Sequence, residues 1–326
     1  SIFVLFGSLT LLLSLFLISN FYLRGLEQSY KMLEEKNLEV TNNISNTIKE
    51  SLRSIVGQLN VLSKITTDKN IILNEPIIEK VMWEQLKSNE NIASIFLSDE
   101  FGNFLQTRKE PKYAYRSINN MDKKNEEVWY YKNQEYLTTS IHISKSTYDP
   151  RKRDWYKLVE NSKIFWSEPY IFDSTKEPGI TISVGDFDEY GSKIKVAAAD
   201  FTLNKISKLL EAKATMLNGK LILFNQSKDV IATSFNIDLK TKDNKFLKLE
   251  DINSSLYSDT LKKIEENLFT GELKEKDGKE YIYFISKFQK DSGQNWYIAS
   301  YVEKDIVTAD IKNTLINSVL ISFLII

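Results

Sequence analysis

The 326-residue chain has no cysteine and a single histidine, His142. The first absence excludes disulfide staples and thiol chemistry, and the second excludes the histidine clusters that hold transition metals. His142 stands in the alternating stretch Ser140-Ile141-His142-Ile143-Ser144, where a lone imidazole reads as a structural residue. There is no glycine-rich phosphate loop and no Gly-x-Ser-x-Gly elbow. A hydrolase therefore stays a rival without a nameable nucleophile and base, and no catalytic residue and no cofactor are assigned. Charge of one sign is also missing: 43 Lys and Arg face 44 Asp and Glu, for a net charge of −1. That balance excludes the basic footprint of a nucleic-acid binder or of a polybasic membrane-surface patch. The acidic run Asp186-Phe187-Asp188-Glu189 is followed by Tyr190-Gly191 and reads as a solvated hairpin turn rather than a calcium loop.

Long apolar runs occur only at the ends. Ile2 to Leu23 is broken by nothing more polar than Gly, Ser, Thr and Asn, and about twenty such residues are what a helix needs to cross a bilayer. Residues 1–23 are therefore expected to form a transmembrane helix. A signal peptide is the rival, but the run passes straight into Tyr22-Leu23-Arg24 and a helical pattern. Thr314 to Ile326 is apolar again and stops short of a full span, so 307–326 is expected to be the start of a second membrane helix. With no initiator Met either, a fragment trimmed at both ends is the expectation, with the output module beyond Ile326. The polar segment between the spans would lie on one side of the membrane, and loop charge does not say which, because long loops cross regardless of it.

Proline is scarce, 5 in all, and none falls in residues 24–66. There Ile44, Ile48, Leu52, Ile55, Leu59 and Leu62 recur in steps of four and three, one stripe on a helix. About forty helical residues reach roughly 60 Å at 1.5 Å per residue. Such a helix can serve as a spine and dimer seam, or merely pack on its own domain. After Asn74-Glu75-Pro76 come a short helix near 78–88, two strands within Ile92–Gln106 and a β-like stretch at Val128–Thr139. A loop and helix reach about Asn161, two strands lead to Asp200, and a helix follows at Leu203–Ala212. A second such unit starts at Gly219: two short strands, a helix at Leu256–Leu268, a hairpin turning at Asp277-Gly278 and a last strand at Asn295–Val302. Antiparallel hairpins without a βαβ series predict an α+β fold.

The densest chemistry lies in Tyr148-Asp149-Pro150-Arg151-Lys152-Arg153-Asp154-Trp155-Tyr156. Guanidinium forks match a carboxylate, and Trp and Tyr supply rigid walls with polar tips. The run Phe165-Trp166-Ser167-Glu168-Pro169-Tyr170-Ile171-Phe172-Asp173 follows, then Pro178-Gly179, the strand Ile180–Val184, and a strand ending in Asp200. Each member has a plainer account. Tyr148 and Pro150 can build a turn, Trp155 and Trp166 can fill a core, and Asp200 can cap the helix near Leu203.

This order of residues resembles the double Cache family of extracytoplasmic sensor domains. The resemblance implies a long N-terminal helix followed by two tandem PAS-like antiparallel-sheet units, flanked by transmembrane helices. Its expected divisions are a spine and connection at 24–74, a membrane-distal ligand-binding unit at 75–215 and a membrane-proximal unit at 216–306. The motif of the amino-acid-binding members is a Tyr, then Arg-x-Trp-Tyr, then Tyr-x-Asp, then an Asp after the next strand. Here it falls on Tyr148, Arg153, Trp155, Tyr156, Tyr170 and Asp200. By the resemblance, Arg153 and Trp155 would hold a ligand carboxylate, and Tyr170 with Asp200 would face its ammonium. One position departs: Phe172 stands where the motif has Asp, and Asp173 comes one residue later, on the opposite face of an alternating strand. Either Asp173 reaches in through an irregular backbone, or the ligand is a carboxylate without an amino group, or the ligand is unrelated. The implied partners are a small amino acid or other carboxylate, the membrane, and a second copy through the long helix. A chemotaxis module, a histidine kinase and a cyclic-dinucleotide enzyme all fit behind such a sensor. A ligand-free interaction domain is the reading from a different class.

Overall fold

A computed structural model describes residues 2–121, 125–172, 175–243, 245–289 and 295–325, without the side chains of 2–8, 11, 288, 289, 295 and 321–325. Its elements, in chain order, are α1 (Ile2–Ser63), α2 (Glu75–Ser88), β1 (Ile92–Asp99), β2 (Phe104–Arg108), β3 (Ala114–Asn119), β4 (Glu126–Lys132) and β5 (Thr138–Lys145). Next come α3 (Asp154–Lys157), β6 (Phe165–Trp166), β7 (Tyr170–Ile171), β8 (Pro178–Phe187), β9 (Lys193–Thr202) and α4 (Asn204–Leu217). The chain closes with β10 (Gly219–Asn225), β11 (Val230–Thr233), α5 (Ser255–Glu265), β12 (Thr270–Lys274), β13 (Glu280–Gln289), β14 (Asn295–Glu303) and α6 (Lys304–Ile325).

The apolar end and the striped segment, expected as two elements, form one helix of 62 residues, about 93 Å long at 1.5 Å per residue. The predicted stripe is its buried face: Ile44, Ile55, Leu59 and Leu62 are fully enclosed, and Ile48 and Leu52 nearly so. That face packs on β8, β9 and α4, and farther down on β13. Gly25 lies against Ile311 of α6, so the two long helices run side by side where they leave the second sheet. Among the described residues no helix is long and apolar enough to cross a membrane. Parts of both expected spans, at 1–8 and 321–326, lie outside the described side chains.

The first sheet has the order β5-β4-β3-β2-β1-β9-β8-β6, with β7 also on β8. The second is β11-β10-β14-β13-β12. Every pairing is antiparallel, as the hairpin signals predict. The expected β-like stretch at 128–139 is instead two strands, β4 and β5, folded about Asn133–Leu137. There Tyr136 takes a left-handed φ of 64°, and its ring stacks on Trp83 at 4.0 Å. No Gly or Pro marks that turn, which hid it. The helix expected to reach Asn161 is one turn, α3, preceded by a 3-10 turn at Pro150–Lys152.

The two faces of the first sheet follow from strand alternation. Ile95, Leu97, Leu105, Tyr115, Ala197, Ala199, Ile180 and Ile182 turn to α1 and α2 and are buried. The alternate residues turn to the loops around α3. One apolar core runs from Leu33 through Val302 and takes in both sheets. Leu59→Ala removes a fully enclosed side chain from it and should cost about 2–5 kcal/mol of unfolding free energy. Chemical denaturation of the full chain in detergent micelles measures this, and a loss below the range would mean that the stripe is not the shared support.

Candidate functional site

The face of the first sheet opposite α1 is the floor of a cavity of about 920 Å³. Strand register brings its residues into rows: Phe96, Gln106, Arg116 and Trp129 lie across β1 to β4, and Arg108, Ser94, Asp200 and Thr181 lie across β2, β1, β9 and β8. The roof is the loop into α3, with Tyr148, Arg153 and Trp155, and the segment Ser167–Phe172.

The roof holds its shape by local bonds. Asp149 accepts from the backbone of Arg151 at 3.1 Å and from its guanidinium at 2.9 Å, closing the turn that Pro150 starts. Arg151 also donates to the Glu100 carbonyl at 3.3 Å and lies over Gly102, so it is a strut outside the cavity. Trp155 is buried against Phe96 at 4.8 Å, edge to face. Tyr148 packs on Phe104 at 5.0 Å and carries Arg153 over its ring at 5.0 Å. Burial raises the Tyr148 hydroxyl above the usual phenol value, and the Trp155 hydrogen bond with the positive charges of Arg116 and Arg153 offsets part of that. Arg153 is exposed at the cavity mouth, and among the described residues no carboxylate forms a salt bridge with it.

Asp200 sits on the floor as a half-buried acceptor. It takes hydrogen bonds from Thr181 Oγ1 at 2.7 Å and Ser94 Oγ at 2.9 Å, and Tyr170 lies 2.6 Å from Thr181 Oγ1. Desolvation pushes its carboxyl up to about 6, against the pull of those two hydroxyls. No side chain caps the start of α4, so Asp200 does not serve as the cap that its position near Leu203 suggests.

Five residues of the motif, Tyr148, Arg153, Trp155, Tyr170 and Asp200, line the one cavity. Tyr156 does not. It follows Trp155 around the helical turn, points the other way, and donates its hydroxyl to the Asp99 carbonyl at 3.2 Å in a separate buried network. Asp173 lies outside the described residues. Phe172 lines the cavity and is buried, its ring flat against the backbone of β8 at Gly179. Sequence reading missed Arg108, Arg116, Trp129 and Thr181, which alternation places on the floor but which lie on four strands far apart in the chain. Arg116 pairs with Glu127 at 2.8 Å and stands over Trp129, Phe104 and Tyr148. It organises the aromatic wall.

Residues 78–208 match the model of the methyl-accepting chemotaxis protein-like first PDC sensor domain. No curated protein sequence matches the chain. Among solved structures, the ligand-binding domain of the Pseudomonas fluorescens chemoreceptor CtaA, in complex with L-isoleucine, is 19% identical, with 87% of this chain and 97% of that one covered at a TM-score of 0.54. The ligand-binding domain of Mlp24 with asparagine is 20% identical, covering 88% and 99% at 0.54. That of the Campylobacter jejuni chemoreceptor Tlp3 with 4-methylisoleucine is 14% identical, covering 88% and 94% at 0.53. The fold is thus that of the double Cache sensor domains.

A Cβ at Gly179 would overlap the Phe172 ring and stand 2.8 Å from the Phe201 carbonyl oxygen. Gly179→Ala should therefore lower stability by about 1–3 kcal/mol, as overpacking does. A thermal midpoint equal to that of the parent chain would show that the Phe172 ring yields freely.

Proposed function

We propose that the chain is the extracytoplasmic sensor region of a transmembrane signal-transduction receptor of the chemoreceptor type. It binds an amino acid or other small carboxylate in its first unit. One observation carries this: an aromatic box holds at its mouth the guanidinium of Arg153, which has no ion pair among the described residues, and on its floor a half-buried carboxylate, Asp200. A cation for one end and an anion for the other is what a zwitterion needs. The amino-acid ligands of the similar chemoreceptor domains agree with it. Phe172, in place of a second carboxylate, favours a second reading in which the ligand carries no amino group.

Binding would act by favouring one of two arrangements of the sensor, which it can do only through differential affinity. The parts that would move are contiguous. Glu168 of the cavity roof accepts from Asn225 Nδ2 at 3.3 Å, on β10 of the second sheet. At the other end of that sheet, Lys304 opens α6 with ion pairs to Glu272 at 2.6 Å and Glu280 at 3.3 Å, and Tyr30 of α1 donates to Glu272 at 3.1 Å. In a receptor these helices would lead to the membrane, with the polar segment outside the cell and a second copy packed along α1. The output is a chemotaxis module, or alternatively a histidine kinase or cyclic-dinucleotide enzyme.

Arg153→Ala should weaken carboxylate binding about tenfold to a hundredfold, the size of a charge-assisted hydrogen-bond pair. Ligand-induced rise of the thermal midpoint reads this directly, and an undiminished rise would remove the anchor. Asp200 adds a pH signature. Its folded value of about 6 lies above the ordinary 3.8, so the folded state holds the proton longer and the unliganded chain loses stability as pH rises through that window. An ammonium pairs only with the ionised carboxylate. Affinity for amines should therefore climb as pH rises toward about 6 and level off above it, while Asp200→Asn should flatten the profile. A flat profile in the parent chain would favour the carboxylate without an amino group.

A further inference from the structure

Three guanidinium groups line the cavity, and their surroundings differ. Arg116 gives Nε to Glu127 and has three ring faces. Arg153 is the anchor at the mouth. Arg108 stacks over Trp129 at 4.1 Å, and its buried Nε has no hydrogen-bond partner among the described residues. The carboxylates around it are already occupied. Glu127 receives Arg116 and the indole of Trp129, Asp200 receives Ser94 and Thr181, and Glu168 is bonded to Asn225. Asp154 stands in the exposed first turn of α3.

A half-buried guanidinium with no counter-ion is costly in a protein interior. Arg108 is not enclosed in the core but faces a cavity that a solute can enter, so its counter-ion can come from outside. The fork is also fixed in plane by Trp129, which prepares it for a planar anion. Its position relative to the carboxylate is set by the sheet. Arg108 pairs with Ser94, and Ser94 pairs with Asp200, so the three lie in one row across β2, β1 and β9. At about 4.8 Å per strand, the Arg108 and Asp200 backbones stand about 10 Å apart. Both side chains lean into the same cavity.

We propose that the ligand of this cavity is an α-amino dicarboxylate, and that Arg108 is the residue that selects its second, side-chain carboxylate. The inference rests on the amino-acid-sensor reading, with Arg153 on the α-carboxylate and Asp200 on the ammonium. Arg108 then separates acids from their amides: a carboxylate satisfies the fork, while a neutral amide leaves a buried charge unpaired.

The test is isothermal titration calorimetry on the full chain in detergent micelles, with glutamate, aspartate, glutamine, asparagine, glutarate and succinate. The acids should bind at least about tenfold more tightly than their amides, the scale of one charge-assisted pair. In Arg108→Gln that ratio should fall to about twofold or less, and Arg108→Lys, which keeps the charge without the fork, should fall between the two. The unliganded thermal midpoint of Arg108→Gln should match or exceed that of the parent, since the change removes an unpaired charge. Amides binding as well as acids would overturn the inference and leave the amino-acid-sensor reading standing. Glutarate and succinate binding as well as glutamate would overturn its amino part. An acid-to-amide ratio unchanged in Arg108→Gln, or a lowered midpoint, would overturn the role of Arg108. Silence from all six compounds would overturn the inference, and L-isoleucine binding in the same titration would leave the amino-acid-sensor reading standing.

Discussion

The apolar stripe of α1 is the constraint on which the rest of the structure depends. Leu33, Val40, Ile44, Ile48, Leu52, Ile55, Leu59 and Leu62 form one buried line, and both sheets close on that single helix. Sheets with one covered face need such a partner, because an antiparallel sheet hides only the side that packs. The first sheet turns its aliphatic face to α1 and α2. Its other face is thereby freed from core duty and can carry Arg, Asp, Trp and Gln around a cavity. A surface of polar groups is stable here because another surface supplies the burial.

The cavity face is ordered by electrostatics more than by volume. Three cations enter it, and among the described residues a carboxylate pairs with one of them, Arg116. Arg153 and Arg108 rest on aromatic faces, an arrangement that holds a guanidinium in place without neutralising it. Asp200 is kept by hydroxyls, which hold the carboxylate in position while desolvation raises its affinity for a proton. Both signs of charge thus face one cavity. The roof that closes over them reaches the second sheet through Glu168 and Asn225, and the second sheet reaches α6 through Lys304.

Much of this was legible in the sequence for local reasons. The helical stripe, the turn at Asp277-Gly278 and the alternating strands around Asp200 announce themselves by periodicity and turn chemistry. The β4–β5 turn did not, since its left-handed residue is Tyr136, held by stacking on Trp83 from α2. Tyr156 also misled. Adjacent aromatics in a motif look equivalent, but a helical turn sends them to different sides.

By itself, the sequence determined that a long helix supports antiparallel α+β units, and that forked cations, aromatics and carboxylates gather between Tyr148 and Asp200. Periodicity of 3.6 or 2 is a property of neighbours along the chain, and so is a motif. Only the tertiary structure decided which face of the first sheet is polar floor, that Arg108, Arg116, Trp129 and Thr181 belong to it, and that Asp200 accepts hydroxyls rather than capping a helix. Those facts depend on strand register and on which charges find partners. Both are set by contacts between residues tens to a hundred positions apart, such as Ser94 with Asp200, which no local pattern encodes.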